Sequence, residues 1–249
     1  MERLCLDRWA SPWLRHQHVT RYRWASAFTK GCRVLDAACG AAYGSRILLD
    51  HGARAVDGVD NSWEAFEEAR RCGPTEPLRF IVADVTELPL ASHRYDAYVS
   101  FETLEHVEGD RALLSEAVRV LKPGGKLLCS TPNRELLSPG NSIQDRPVNP
   151  YHIREYNLEE FQSLLREFFG SIELFGQTPF PHEHRDRLLR IARRAPGLAI
   201  RLHQIRNILG IPWEKPEKHF PARLPFGGEP EVLIAVCSAP GSLTDKNPP

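Results

Sequence analysis

The chain has 249 residues, with 32 basic and 32 acidic side chains that cancel to a formal charge of zero at pH 7. That length fits one domain with room for a buried core and a lid. A content of 42% hydrophobic and 26% charged residues excludes disordered, collagenous and fibrous classes. The first fifteen residues interrupt their apolar positions with Glu2, Arg3, Asp7 and Arg8, so no signal peptide is expected. No apolar run reaches the length of about eighteen residues that a membrane span needs. Cys5, Cys32, Cys39, Cys72, Cys129 and Cys237 are widely separated and form no C-x-x-C pair, so they read as reduced thiols of a cytoplasmic protein.

In chain order, a helical cover over residues 1–30 precedes a pattern of short apolar runs alternating with longer mixed segments. The runs at 33–37, 55–59, 78–83, 95–101 and 126–130 read as buried strands. The segments between them read as helices. Residues 44–51 form the first, residues 62–72 the second behind Asn61 or Ser62 as cap, and residues 110–121 the third, stopped by Lys122-Pro123-Gly124-Gly125. Asn157 is expected to cap a helix carrying Leu158, Phe161, Leu164, Leu165 and Phe168, followed by a sixth strand at 171–175. A seventh candidate, 232–237, comes after a long gap. Strands alternating with helices predict an α/β fold: an open, seven-stranded, mostly parallel Rossmann-like sheet with helices on both faces and the last strand antiparallel. The domain plan is a ligand-binding unit over 31–177, a basic helical insertion over 178–230, the last strand at 231–240 and a tail at 241–249.

The segment V-L-D-A-A-C-G-A-A-Y-G-S, residues 34–45, is a strand running into a turn of small residues and then a helix. Small residues allow a sharp turn and the close approach of a ligand. Asp60 ends the second strand twenty residues beyond Gly40, where a carboxylate can accept hydrogen bonds from both ribose hydroxyls. Asp84 ends the third strand, within reach of an adenine amino group. Asp36, just before the turn, is a poor neighbour for a pyrophosphate and a good one for an ammonium group. A nicotinamide-dependent oxidoreductase would need a third glycine and helix amides turned to a pyrophosphate, so it is disfavoured. The implied ligand carries ribose, adenine and a cationic amino-acid end.

These residues resemble the class I S-adenosylmethionine-dependent methyltransferases. The likeness runs from Val34 to Gln177 through the first motif, G-V-D at 58–60, A-D-V at 83–85, Y-D-A-Y-V-S-F at 95–101 and L-K-P-G-G-K-L at 121–127. It implies S-adenosylmethionine as cofactor, held by Asp36, Ala38, Gly40, Gly44, Asp60, Asn61, Asp84, Val85, Phe101 and Glu102. The family usually has glycine where this chain has Ala42, which either crowds the methionine end of the cofactor or keeps an ordinary backbone angle; the second is the expectation. F-E-T-L-E-H-V, residues 101–107, is similar to an element of the ubiquinone-pathway O-methyltransferase branch. Segments 17–22 and 149–156 are similar to bacterial glycan and secondary-metabolite methyltransferases.

Glu102, Glu105 and His106 have i, i+3, i+4 spacing, so one helical turn would gather them on a single face. Three readings stand: His106 or His152 is a general base, with Glu105 beside it; Glu102, Glu105, His106 and His152 bind a divalent metal such as Mg²⁺; or these residues only pin the loop. His18 and Tyr22 either cover the cofactor or pack an N-terminal helix, and His51 and His93 are expected to be solvated.

Residues 185–206 hold seven arginines against one acid, Asp186, and predict a basic lid near the acceptor. Residues 1–30 carry six basic and two acidic side chains and residues 178–249 eleven and seven, so the excess of acid lies in the sheet. The expected partner is a small acceptor that is anionic, glycan-like, or linked to a lipid or nucleotide. Nucleic acid is disfavoured because no RNA-binding module accompanies the arginines, and peripheral membrane contact ranks below a soluble acceptor. The expected activity is methyl transfer to an oxygen of that acceptor; the alternative is a catalytically silent cofactor-binding module.

Overall fold

The computed structural model describes residues 12–71, 77–180, 220–225 and 229–239. Eight strands form one sheet: β1 (Arg33–Ala37), β2 (Ala55–Asp60), β3 (Leu78–Val82), β4 (Tyr95–Phe101), β5 (Leu121–Pro132), β6 (Ser171–Phe180), β7 (Ala222–Arg223) and β8 (Glu229–Ser238). Their order is β3-β2-β1-β4-β5-β8-β6-β7. The first five are parallel, and β8 enters antiparallel between β5 and β6.

Each central strand is apolar on both sides because both faces are covered. Val34, Ala97, Val99 and Leu128 pack with Trp24 and Ala25 of α1 (Pro12–Thr29) and Leu48 of α2 (Tyr43–Asp50). Their neighbours Leu35, Tyr98 and Leu127 point the other way, onto Leu113, Leu114 and Ala117 of α4 (Asp110–Val120) and Phe161 and Leu165 of α6 (Leu158–Arg166). Between them in the chain lie α3 (Trp63–Arg71) and α5 (Arg134–Leu137). Ser62, not Asn61, caps α3 by accepting the Ala65 amide at 3.1 Å. Asn157 caps α6 as expected, in a reciprocal box with Glu160.

The structure corrects the expected plan at several points. The sheet has an eighth strand, β7, whose two residues pair with Phe175 and Gly176 at the outer edge of β6. Strand β5 starts at Leu121, and the Lys122–Gly125 stretch that was expected to stop a helix forms an irregularity in the β4–β5 pairing. Strands β6 and β8 extend to Phe180 and Glu229, taking both margins of the predicted insertion. Residues 181–219, which include the arginine-rich stretch expected to form a lid, lie outside the described residues, as do the tail, Cys5 and Cys72. Cys32, Cys39, Cys129 and Cys237 are free thiols, and no helix among the described residues is long and apolar enough to cross a membrane.

Chain order reverses between β1 and β4, which opens a crevice above their carboxyl ends. Three residues before its carboxyl end, β2 carries a buried acid that the sequence did not announce. Asp57 accepts from Arg33 of β1 at 2.7 Å, from both Arg79 Nε and its terminal nitrogen at 2.6 Å, and from Tyr95 of β4 at 2.7 Å. Burial pushes this carboxyl up, but the hydrogen bonds from Arg79, Tyr95 and Arg33 outweigh it and hold the pKa at about 2. One carboxylate thus joins four strands. Asp57→Ala, which strands two guanidinium groups at the sheet, is expected to lower the unfolding free energy in urea by about 3 kcal/mol. A loss below about 1 kcal/mol would show that solvent screens the cluster.

Candidate functional site

A cavity of ≈ 660 Å³ occupies the crevice, within the size range of small-molecule sites. Its first wall is the turn from β1 to α2, where Ala38, Gly40 and Ala42 take positive φ of 56°, 53° and 59°. Alternate left-handed residues coil the chain tightly. Nothing lies within 4 Å of where a Gly40 side chain would start, so the backbone there borders open space. Ala42 corrects the expectation of an ordinary backbone angle: it is fully buried in a left-handed conformation that costs an alanine about 1–2 kcal/mol.

Asp60 fixes this turn. Its two oxygens accept the Gly40 amide at 2.9 Å and the Ser62 amide at 3.0 Å, tying the turn to the start of α3. Each oxygen has a second lone pair, so the carboxylate keeps capacity for two hydroxyl donors. Asn61 follows it on the cavity wall, and Ala83, Asp84 and Val85 continue the wall from β3. One Asp84 oxygen accepts the Thr86 amide and hydroxyl at 2.8 and 2.7 Å.

Two residues expected in this wall are absent from it. Asp36 is fully buried behind the cavity, accepting Tyr22 Oη at 2.9 Å and Ser45 Oγ at 2.6 Å. Tyr22 stands on the cavity wall in its place. Gly44 serves that substitution: a side chain there would start 2.1 Å from the Tyr22 ring. Tyr22 also meets Tyr43 and Phe101 edge-on, and His18 Nδ1 lies 3.0 Å from Tyr43 Oη. Burial first, then the charge of Arg21, lowers the His18 pKa, so this imidazole is neutral. Helix α1 therefore both packs on the sheet and lines the cavity, with Leu14, Gln17, His18 and Tyr22.

The far wall comes from the end of β4 and the loop before α6. Phe101 is followed by Glu102 in a left-handed bend, φ 53°, and only then by a 3-10 turn, Leu104–His106. The expected single helical face for Glu102, Glu105 and His106 is therefore broken. Glu102 turns to Arg21 and Ser130, at 2.9 and 2.7 Å, while Glu105 and His106 gather with His152 so that one ligating atom from each lies within 4.8 Å of the others.

Glu105 is fully buried, yet it reaches the cavity wall. Oε2 accepts Thr131 Oγ1 at 3.0 Å, and Oε1 is buried without a hydrogen-bond partner. Burial and then the Glu102 charge push its pKa well above the ordinary carboxylate value, a shift toward the protonated form. His106 Nδ1 lies 3.0 Å from the Tyr151 carbonyl, which only accepts, so Nδ1 carries the proton. The lone pair is then on Nε2, 3.9 Å from Glu105 Oε1. His152 packs edge-on against His106, with ring centroids 4.9 Å apart. Its Nδ1 donates to Glu155 at 2.6 Å, and Glu155 accepts Ser138 Oγ at 2.5 Å. The amide of Asn149 lies 2.9 Å from His152 Nε2, in an orientation set by the Tyr151 amide on Asn149 Oδ1.

One carboxylate and two imidazoles form a donor set for a transition metal, not for Mg²⁺, which takes oxygen ligands. Both His152 nitrogens already have partners. His51 and His93 are exposed and bonded to nearby carbonyls, as expected of solvated histidines.

Across the cavity the described residues contribute Asp60, Asp84, Glu102, Glu105, Glu108 and Glu231, and neither lysine nor arginine. Such a lining suits a cationic ligand and repels a pyrophosphate. Fold and lining together define an acid-lined small-molecule site at the switch point of an open α/β sheet. Residues 35–129 match the model of the methyltransferase domain family. A probable S-adenosylmethionine-dependent methyltransferase of Mycolicibacterium smegmatis is 34% identical over 203 residues, covering 82% of this chain and 75% of its own. The ubiquinone biosynthesis O-methyltransferase of Coxiella burnetii is 36% identical over 107 residues, 42% of this chain and 45% of its own. The crystal structure of an S-adenosylmethionine-dependent methyltransferase from Archaeoglobus fulgidus shares the fold with a TM-score of 0.59 at 16% identity, covering 88% of this chain and 92% of its own. The chain belongs to the S-adenosylmethionine-dependent methyltransferases, and it is an enzyme of that class.

Burial raises the Asp36 pKa first, the hydrogen bonds from Ser45 and Tyr22 hold it down, and the Asp60 charge raises it again, to about 7. An unfolded aspartate titrates near about 4. Between these values the folded chain keeps a proton that the unfolded chain has released, so this group removes stability as pH rises from about 4 to about 7. Asp36→Asn is expected to flatten that fall in urea midpoints. Parallel profiles for the two proteins would remove Asp36 as the titrating group.

Proposed function

We propose that the enzyme methylates a hydroxyl oxygen of a small acceptor, with His106 as the general base. The observation that carries this is the His106 tautomer: with its Nδ1 proton held by the Tyr151 carbonyl, the basic Nε2 lies in the cluster with Glu105 and His152 on the cavity wall. Asp60, with acceptor capacity on both oxygens, is the group for the ribose hydroxyls, and Asp84 and Val85 border the adenine position. The acid-lined cavity favours the positive charge of the cofactor.

S-adenosylmethionine supplies an activated methyl group and a neutral leaving group. What remains for the protein is alignment and one proton. Confining the acceptor between His106, His152 and the apolar side chains Leu136, Leu137 and Ile153 of the same wall supplies the alignment, worth about 7–11 kcal/mol in well-oriented reactions. The hydroxyl proton passes to His106 Nε2 as the oxygen attacks. Glu105, whose Oε1 is buried without a hydrogen-bond partner on the same wall, is placed to hydrogen-bond the acceptor. His152, held by Glu155 and Asn149, braces the His106 ring. No lysine or arginine is among the described residues that line the cavity, so an anionic part of the acceptor finds no lining counter-charge there. The name of the Coxiella burnetii relative, an O-methyltransferase, agrees with oxygen as the methylated atom.

A metal-assisted reading has one observation in its favour, the partnerless Glu105 Oε1 beside two imidazoles. Activity should survive exhaustive chelation; its loss, with recovery on adding a transition metal, would replace the base by a metal. His106→Gln is expected to lower kcat about a hundred- to ten-thousandfold, with cofactor Kd unchanged by calorimetry. An unchanged kcat would remove His106 as base.

A further inference from the structure

We propose that Arg21 is a positioning residue that presents the Glu102 carboxylate to the cationic amino-acid end of the cofactor, the role that the sequence pattern assigned to Asp36. Asp36 is sealed behind Tyr22, whereas Glu102 stands on the cavity wall. The guanidinium of Arg21 is 1% exposed and reaches the residue just beyond β4 and two strands, β5 and β6, all distant in sequence. Its terminal nitrogen donates to Glu102 Oε1 and to Ser130 Oγ, both at 2.9 Å, and Nε donates to Gln177 Oε1 at 2.8 Å. Gln177 in turn donates to the Gln17 carbonyl of α1 at 2.9 Å. The guanidinium carbon also sits 5.6 Å from the Phe101 ring centre.

Every hydrogen bond to the Glu102 side chain falls on Oε1: Arg21 at 2.9 Å and Ser130 Oγ at 2.7 Å. That leaves Oε2 for a ligand. The carboxylate is held at a residue with φ 53°, a conformation that only a surrounding over-determined by contacts maintains. A buried guanidinium needs a hydrogen-bonding carboxylate as partner, so Arg21 fixes where that carboxylate stands. Glu102 reaches the cavity wall, where Asp36, fully buried and bonded twice, does not.

The inference rests on the reading that Glu102 faces the cofactor, and the test separates the two. Binding to the full-length protein is measured by calorimetry for S-adenosylhomocysteine and for 5′-methylthioadenosine, which has no amino-acid end. Glu102→Gln and Arg21→Met should each raise the Kd of S-adenosylhomocysteine about tenfold or more, leave that of 5′-methylthioadenosine within about twofold, and show no further loss when combined. If Glu102→Gln leaves both affinities unchanged, Glu102 is not a cofactor contact. If Glu102→Gln acts and Arg21→Met does not, or Arg21→Met weakens both ligands equally, Arg21 is structural only. Should Arg21→Met not fold, Ser130→Ala removes the hydroxyl that Arg21 and Glu102 share without stranding a charge; a selective loss for S-adenosylhomocysteine supports the proposal, and an equal loss or none overturns it.

Discussion

The Asp60 carboxylate is the pivot of the site. By accepting the amides of Gly40 and Ser62 it ties two loops from two crossovers to one point at the carboxyl edge of the sheet. The left-handed residues 38, 40 and 42 bring the backbone to that point, and the cost of placing an alanine at 42 is borne by the surrounding packing of Cys39 and Ala69. The Cys39 amide, bonded to the Val59 carbonyl at 2.9 Å, adds a second tie between the turn and β2. Geometry at one carboxylate therefore shapes this edge of the cavity.

Charge sets a second constraint on the crevice. Six carboxyl side chains and no described cation make the cavity a place for positive charge, which the family's cofactor brings. Burial sorts these acids and their neighbours into different states: Glu105 is pushed toward neutrality, Asp36 is drawn to about 7, and Glu102 has a buried guanidinium as partner. The same residue type thus does three kinds of work within one crevice. The balanced total charge of the chain conceals this division.

Much of the fold was legible because it is local. Strands β1, β2, β4 and β5 are covered on both faces and read as apolar runs, and Asn157 announces α6 by its own capping chemistry. Of the three acids read at successive strand ends, Asp60 and Asp84 line the cavity and Asp36 does not. The roles of individual residues were less legible because they depend on partners far along the chain. Asp36 faces a tyrosine from α1, Asp57 collects side chains from three other strands, and Arg21 joins residues 81, 109 and 156 positions away. Spacing placed Glu102, Glu105 and His106 on one helical face, but the left-handed bend at Glu102 sends it to another wall. The two-residue β7 has no apolar period to reveal it.

A crystal structure of the enzyme with S-adenosylhomocysteine tests the central claim most directly. Both ribose hydroxyls are expected on the Asp60 oxygens, adenine beside Asp84 and Val85, and the sulfur turned toward the wall that carries His106. A ribose held away from Asp60, or a sulfur separated from His106 by the body of the nucleoside, would contradict it.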